Sequence, residues 1–269
     1  MIRSRPVALT IAGSDSGGGA GIVADLKTFE ALGVWGTVAL TAVTAQNTLG
    51  VQRVGSVDPA LVAAQITSVV NDIGADALKT GMLGSAEIVA AVAAALPHRP
   101  LVIDPVLLST SGTVLLDAGG IEALRELLLP RATLVTPNLA EASLLVGDEV
   151  ADEDSMVRAA RRLVAMGSAA TLVTGGHLSG GVAADCLVVG QGEPVWLEVP
   201  LIDTMSLHGT GCVLSAAICA LVATGASIED ACRRGKAFVT SAIRAGVTLG
   251  GGPGPVDPGG AARQTKWRS

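Results

Sequence analysis

The chain of 269 residues carries little charge and has no block of positive charge. It has 18 Lys and Arg against 24 Asp and Glu, which gives a net charge of −6. A nucleic-acid surface needs positive charge to displace counterions, so this balance argues against a DNA or RNA partner. The apolar, charge-free run 213–228 is shorter than the roughly 20 residues that a membrane span requires. The sequence therefore predicts no nucleic-acid partner and no membrane-spanning segment.

Cysteine is scarce and lacks the spacing of a metal site or a disulfide framework. The four cysteines are Cys186, Cys212, Cys219 and Cys232, with no C-x-x-C pair. This argues against a zinc knuckle and against a small disulfide-rich domain. The short apolar run after Pro6 is cut off by Asp15, so it is interpreted as a first strand rather than a signal peptide. We expect a reducing compartment, the cytoplasm.

Short apolar runs alternate with segments of helical spacing, which predicts an α/β fold. The predicted strands are Val7–Ala12, Gly36–Val43, Ala77–Thr80, Leu101–Ile103, Leu134–Thr136, Thr171–Thr174, Ala183–Val189 and Val195–Glu198. The predicted helices are Ala24–Leu32, Pro59–Ile73, Ala86–Leu96, Ile121–Leu128, Ser155–Met166 and Val213–Thr224. Such alternation implies a mostly parallel sheet between two helical layers, a three-layer αβα sandwich. No helix separates the last two strands, so they should form an antiparallel hairpin.

The chain shows no internal repeat and no interdomain linker. We expect one domain over residues 1–258. Beyond the glycine-rich run that begins at Gly250, residues 259–269 are polar and are expected to form a mobile tail. In an open parallel sheet, ligands bind beyond the carboxyl ends of the strands. The polar and glycine-rich segments lie there, and we expect one crevice to collect them.

An anion site is predicted where Gly209, Thr210, Gly211 and Cys212 precede an apolar helix. The first turn of a helix leaves backbone N–H groups without intrahelical partners and carries the positive end of the helix dipole. Glycine lets phosphate oxygens approach that backbone closely. The same field is expected to favour the thiolate of Cys212 and to lower its pKa. This arrangement suggests a kinase, although a tightly packed helix start explains the pattern equally well.

Asn138 and Glu141 stand three residues apart at a strand-to-helix junction. An amide and a carboxylate on one helical face suit magnesium bound through water. The same spacing is typical of a capping box, which alone is the simpler explanation. Asp104 supplies a second carboxylate at the same level, and its alternative role is that of a turn residue.

Two further segments have the chemistry of a small-molecule site. The amide of Gln46 offers a donor and an acceptor that match the edge of a heteroaromatic base. The loop Gly13–Gly21 can close over a small substrate, with Asp25 on the next helix facing the pocket. The loop also contains a formal G-x-G-x-x-A match to a dinucleotide fingerprint. That interpretation is weak, because the strand ends well before Gly19 and no acidic residue ends the next strand.

Several stretches spread over most of the chain match one enzyme family. They are Ala8–Phe29, Leu40–Val51, Leu78–Leu83, Asp104–Val106, Thr136–Ala142 and His208–Cys212. On these motifs the chain resembles the hydroxymethylpyrimidine/phosphomethylpyrimidine kinases of thiamine biosynthesis, in the ribokinase-like superfamily. The resemblance implies an αβα sandwich, ATP and magnesium, and a homodimer. It also implies phosphorylation of 4-amino-5-hydroxymethyl-2-methylpyrimidine, followed by phosphorylation of the resulting monophosphate.

The resemblance assigns roles to matching residues. It implies that Gln46 reads the pyrimidine and that the turn Gly209–Cys212 forms an anion hole, with Cys212 in the position of a base. The remaining pocket residues that it implies are Gly13, Asp25, Met82 and Val106 for the substrate, Asn138, Glu141, Thr174 and His208 for the nucleotide, and Glu141 and Asp104 for magnesium.

The chain departs from the family pattern at a few positions. Thr174 stands where a lysine is usual, Leu207 and Val213 replace threonines, and Trp35 occupies a position that is often Tyr. The loss of the lysine leaves open a non-catalytic ligand-binding relative, although Cys212 and Glu141 argue against it. Pyridoxal kinase of the same fold is the nearest rival, because pyridoxine also carries a hydroxymethyl group on a nitrogen ring.

Overall fold

The computed structural model describes residues 4–109, 112, 114–176 and 181–264. In this part of the chain a nine-stranded sheet runs in the order β3-β2-β1-β4-β5-β6-β7-β8-β9. The strands are β1 (Val7–Ser14), β2 (Trp35–Asn47), β3 (Gly50–Ser56), β4 (Ala77–Thr80), β5 (Leu101–Ile103), β6 (Leu134–Val135), β7 (Ala170–Gly175), β8 (Val182–Val189) and β9 (Val195–Pro200). The six central strands are parallel, whereas β3, β8 and β9 each pair antiparallel with the strand before them.

Helices cover both faces of the sheet. They are α1 (Gly21–Ala31), α2 (Pro59–Asp72), α3 (Ala86–Ala95), α4 (Ala118–Ala123), α5 (Leu139–Val146), α6 (Glu153–Ala165), α7 (Thr210–Ala223), α8 (Ile228–Arg244) and α9 (Pro258–Gln264). Helix α4 continues into a π-helical turn at Leu124–Leu128. The predicted three-layer α/β class and the β8–β9 hairpin are confirmed. The sheet has a further antiparallel strand at its other edge, β3, which the sequence did not predict.

Alternation along the strands divides the core into two layers. On β1, Leu9 and Ile11 pack into the layer that contains α2, α3, α5 and α6. Ala8, the residue before Leu9, packs into the layer that contains α1, α7, α8 and α9. Because successive side chains of a strand point to opposite faces, a strand buried on both sides is mostly apolar. The polar loops therefore lie at the ends of the strands.

The C-terminal region corrects one prediction. Residues 258–264 form α9 instead of belonging to a mobile tail, and Ala261 is completely buried. The helix propensity of Pro258 and the two glycines after it is low, so local sequence hides this helix. Packing of Ala261 against the α1, α7 and α8 layer stabilises it. Residues 265–269 of the predicted tail lie outside the described residues.

No helix in the described ranges is long and apolar enough to cross a membrane.

Candidate active site

A pocket lies at the carboxyl ends of the parallel strands, beside the start of α7. Its lining includes every predicted site residue except Asp25: Gly13, Gln46, Met82, Asp104, Val106, Asn138, Glu141, Thr174, His208, Gly209, Thr210, Gly211 and Cys212. These residues are spread over 200 positions of sequence but come from the ends of neighbouring strands and one helix start. The parallel sheet therefore brings them to one edge, as expected for open α/β folds.

The anion turn, residues 209–212, begins α7. Gly209 is the N-cap residue and has a φ of 83°, in the left-handed region that favours glycine. A Cβ atom at Gly209 would collide with the carbonyl oxygen of Gly19. The position therefore requires glycine both for its backbone angle and for the close approach of the loop Gly13–Gly21. Residues 209–212 line the pocket, and the first turn of a helix leaves N–H groups without intrahelical partners, which stabilise a bound anion.

The expected low pKa of Cys212 is wrong for this structure. Burial raises the pKa of the Cys212 thiol to about 12, and the carboxylates of Asp104 and Asp25 raise it further. The Lys79 ammonium and the Gly21 N–H act in the opposite direction but are too weak to reverse the shift. Desolvation penalises the thiolate more than the helix terminus stabilises it. The resting side chain is consequently a neutral thiol.

A buried charge network lies directly under this turn, and it contains a residue that sequence reasoning missed. The Lys79 Nζ atom lies 2.8 Å from Asp25 Oδ1 and 3.6 Å from Asp104 Oδ2. The Thr10 hydroxyl donates to the other oxygen of Asp25 at 2.6 Å. Both Lys79 and Asp25 are fully buried. The one available signal was a lysine inside a strand that is otherwise apolar on both faces.

The same network corrects the prediction for Asp25. Its carboxylate does not line the pocket, because α1 packs against the sheet and turns the side chain toward Lys79 and Thr10. Burial raises the pKa of Asp25, although Lys79 opposes that shift. Asp25 therefore holds the Lys79 ammonium near Cys212 and lies outside the pocket lining.

Asn138 and Glu141 form the capping box of α5. The Asn138 side chain accepts from the Glu141 N–H at 2.9 Å, and the Glu141 carboxylate accepts from the Asn138 N–H at 3.0 Å. Glu141 nevertheless lines the pocket and faces Asp104. Burial and the Asp104 charge raise the pKa of Glu141 to about 8. The residue thus serves the cap and presents a carboxyl group to the pocket.

This pair of carboxylates fits a hydrated magnesium ion. Among the described residues, no group of three or more His, Cys, Asp or Glu side chains is placed to hold a metal ion directly. Glu141, whose pKa the Asp104 charge raises, and Asp104 itself are instead suited to share a divalent cation. Magnesium keeps several waters and binds through one or two carboxylates together with phosphate oxygens. Glu141 and Asp104 provide that donor set.

Gln46 lies on β2, which extends four residues beyond the predicted strand end. The Thr44 hydroxyl donates to the Ser14 carbonyl at 2.8 Å and lies 3.2 Å from Gln46 Oε1. Contact with this hydroxyl orients the Gln46 amide at the pocket wall. The antiparallel pairing with β3, where Gln46 lies opposite Val51, stabilises this extension into the pocket.

Thr174 lies at the end of β7, beside Asn138. Its N–H donates to the Pro137 carbonyl at 2.9 Å, and a parallel bridge joins it to Asn138. The residue thus packs against the cap of α5. Gly175, the last residue of β7, donates its N–H to Asp185, whose carboxylate also binds the Lys236 ammonium at 2.6 Å. The Lys236 ammonium is therefore committed to a buried ion pair.

Comparison with known proteins identifies the group of enzymes to which this site belongs. The family model for phosphomethylpyrimidine kinase matches residues 15–257. A hydroxymethylpyrimidine/phosphomethylpyrimidine kinase of Streptomyces coelicolor is 51% identical over 258 residues, which cover 95% of each chain. A thiamine biosynthesis bifunctional protein of Geobacter sulfurreducens is 47% identical over 93% of this chain and 51% of its own length.

Solved structures agree in fold. The ADP complex of Bacillus subtilis pyridoxal kinase superposes with a TM-score of 0.90, at 39% identity, over 97% of this chain and all of the other. The extent of the family match, from the glycine-rich loop to the segment before α9, includes all the strands that form the pocket apart from β1. The chain belongs to the phosphomethylpyrimidine kinase family.

Proposed function

We propose that this protein phosphorylates 4-amino-5-hydroxymethyl-2-methylpyrimidine with ATP and then phosphorylates the monophosphate to the diphosphate, in thiamine biosynthesis. The observation that carries the proposal is the meeting, in one pocket, of the oriented Gln46 amide, the anion turn 209–212 and the facing carboxylates of Glu141 and Asp104. Each feature serves one part of the reaction: the base, the transferring phosphoryl group and the metal-nucleotide.

In the first step the substrate hydroxyl oxygen attacks the γ-phosphorus of ATP. The new O–P bond forms as the bond to the bridging oxygen breaks, and ADP leaves with that electron pair. The hydroxyl proton passes to Cys212, and the backbone of residues 209–212 stabilises charge on the transferring group. Because the resting side chain is a neutral thiol, Cys212 first releases its own proton to solvent water and then accepts the hydroxyl proton as a thiolate. Lys79, held by Asp25, is the buried cation that stabilises this form.

The residues proposed to bind the metal and the nucleotide are Asn138, Glu141, Asp104, Thr174 and His208. Magnesium, when bound, neutralises charge on the phosphates and lowers the barrier to transfer. Glu141 and Asp104 hold its water ligands, and Asn138 fixes the start of α5 on which Glu141 stands. Gly13, Met82 and Val106 border the space for the pyrimidine.

The second step needs less from Cys212. A phosphate oxygen of the monophosphate is already ionised near neutral pH, so no hydroxyl proton has to be removed. The anion turn then has to accommodate the phosphate that accepts the new group as well as the one that is transferred.

The proposal includes a homodimer in the cytoplasm. The edge strand β3 supports the dimer, because among the described residues it pairs with β2 on one side and with no strand on the other. Val54 on β3, Val43 on β2 and Leu49 in the turn between them are exposed. An apolar, unpaired strand edge favours association with a second copy. Light scattering in solution tests this arrangement, and a monomer across all concentrations would contradict it.

A coupled assay of ADP release tests the proposed reaction. The protein is supplied with ATP, magnesium and, in separate reactions, the hydroxymethyl pyrimidine, its monophosphate or pyridoxine. We expect turnover with both pyrimidines and a lower kcat/KM with pyridoxine. Release of ADP in the pyridoxine reaction and in neither pyrimidine reaction would identify the activity as that of a pyridoxal kinase. The fold of the Bacillus subtilis structure also supports that activity. Absence of ADP release with all three compounds would reject both kinase reactions.

A further inference from the structure

The loop Gly13–Gly21 makes contacts that none of the roles assigned so far use. Two consecutive side chains of this loop, Asp15 and Ser16, contact two different segments that line the pocket. Asp15 contacts the segment that starts α7, and Ser16 contacts the strand that carries Gln46.

Asp15 is a saturated acceptor. It is 4% exposed, and one carboxylate oxygen accepts from the Gly17 N–H at 2.7 Å. The other oxygen accepts from Gly19 and Ala20 N–H groups at 3.1 and 2.9 Å and lies 2.9 Å from His208 Nε2. Burial alone would raise the pKa of Asp15, but His208 and these N–H groups hold it below its usual value. The side chain therefore remains a carboxylate at neutral pH.

The partner of Asp15 precedes the anion turn directly. The His208 backbone is held as well, since its N–H donates to the Gly254 carbonyl and its carbonyl accepts from the Val256 N–H, both at 3.1 Å. With the ring bound to Asp15, both the backbone and the side chain of His208 are fixed. Gly209, the next residue, lies against the Gly19 backbone of the same loop. The position of the anion turn thus depends on the loop through two adjacent contacts.

Ser16 performs the matching task on the other side. Its hydroxyl donates to the Gln46 carbonyl at 2.7 Å and accepts from the Gln46 N–H at 2.8 Å. These two hydrogen bonds take the place of those that the Gln46 N–H and carbonyl would make with the backbone of an adjacent strand. The residue that presents the amide to the pocket is therefore positioned by the glycine-rich loop.

We propose that Asp15 and Ser16 are positioning residues that set the distance between the bound pyrimidine and the transferring phosphoryl group. The inference rests on the proposed kinase function and goes beyond it, because neither side chain needs to touch the reacting atoms. Misplacement of a reacting group by about 1 Å costs roughly 100-fold in rate. The contact of Asp15 with His208 and the contact of Ser16 with Gln46 together connect β2 rigidly to the anion turn. This connection prevents that displacement.

The two links have different kinetic signatures. Asp15→Asn should lower kcat for both phosphorylations by about 10- to 100-fold, the loss expected for a charge-assisted contact, with the pyrimidine KM nearly unchanged. Ser16→Ala should raise the pyrimidine KM by about 3- to 10-fold with a smaller change in kcat. A merely structural role would lower the amount of folded enzyme without separating kcat from KM.

The experiment measures kcat and KM for pyrimidine and ATP in these variants and in matched controls. Asp152→Asn removes a carboxylate that accepts the Ser155 N–H in the capping box of α6, and Ser155→Ala removes a hydroxyl that also bridges backbone groups there. Neither control residue lines the pocket. Both controls should lose thermal stability and keep wild-type kinetic constants.

A second series tests the link if Asp15→Asn fails to fold. His208→Gln keeps a donor near the position of Nε2, whereas His208→Leu does not. We expect His208→Gln to retain at least 10-fold more kcat than His208→Leu, because glutamine can still donate to the Asp15 carboxylate.

Equal kcat in the two His208 variants, or unchanged constants in both Asp15→Asn and Ser16→Ala, would overturn the inference. Wild-type turnover in the same assay separates this result from failure of the proposed function.

Discussion

The Lys79 ammonium lies 2.8 Å from the Asp25 carboxylate, and both side chains are fully buried under the turn that begins α7. The two residues are 54 positions apart in the chain, and the fold brings β4 and α1 together near the carboxyl ends of the strands. A buried ion pair is weak support for stability but strong support for a fixed charge at a chosen place. Here that place is the floor of the pocket beside Cys212.

Lys79→Met should destabilise the protein by about 3–5 kcal/mol, because it leaves the Asp25 carboxylate buried without its cation. Chemical denaturation measures the change. Arg234→Met is the matched control, since Arg234 forms an exposed ion pair with Asp230 and should change the free energy of unfolding by less than about 1 kcal/mol. Equal losses in the two variants would show that the buried pair contributes nothing special.

The raised pKa of Cys212 predicts slow alkylation in the ligand-free protein. A pKa of about 12 leaves the thiol protonated at pH 8, and the thiolate fraction increases about tenfold with each pH unit up to that value. The rate of modification by iodoacetamide should therefore increase continuously from pH 7 to pH 10. Peptide mass spectrometry follows residue 212, and Cys212→Ser identifies its signal. A rate that levels off near pH 8 would contradict the shift.

Cys212→Ser should slow the first phosphorylation by about 10²- to 10⁴-fold, the usual contribution of a general base. The second phosphorylation should lose less, because its acceptor oxygen is already ionised. Affinity for ATP should change little, since the backbone of the anion turn remains. Single-turnover measurements with each pyrimidine separate the steps. Small and equal losses would mean that Cys212 only packs at the helix start.

Glu141→Gln should lower turnover and raise the magnesium concentration needed for half-maximal activity. Glutamine retains an acceptor for the Asn138 N–H, so the capping box and the melting temperature should change little. Titration of activity with magnesium, alongside thermal unfolding, distinguishes the two roles. A large loss of stability with an unchanged magnesium requirement would show that Glu141 acts only as a cap.

Gln46→Leu should weaken pyrimidine binding by about 1–3 kcal/mol, because a polar edge of the ligand loses its partner on binding. ATP binding should remain close to wild type. Calorimetry with each ligand measures both affinities. Gln65→Leu provides a comparison, since the Gln65 amide bonds the backbone of Leu40 and lies outside the pocket lining. Unaltered pyrimidine affinity in Gln46→Leu would remove that residue from the site.

Local sequence was sufficient for the features that depend on local physics. Sequence predicted β4 (Ala77–Thr80) and β5 (Leu101–Ile103) with their observed bounds, and the all-apolar run of β5 is what burial on both faces of a sheet favours. The spacing of Asn138 and Glu141 predicted the cap of α5, which depends on residues three positions apart. The carboxyl-end rule then placed the glycine-rich loop, Gln46 and the anion turn at one edge.

Tertiary structure decided what depends on residues far apart in the chain. The partner of Asp25 is 54 positions away and that of Asp15 is 193 positions away, so neither pairing leaves a periodic signal. The shift of the Cys212 pKa reverses because desolvation depends on everything packed around the thiol, while sequence shows only the helix that follows. Sequence identified the groups of this kinase site, and long-range packing determined their charge states and partners.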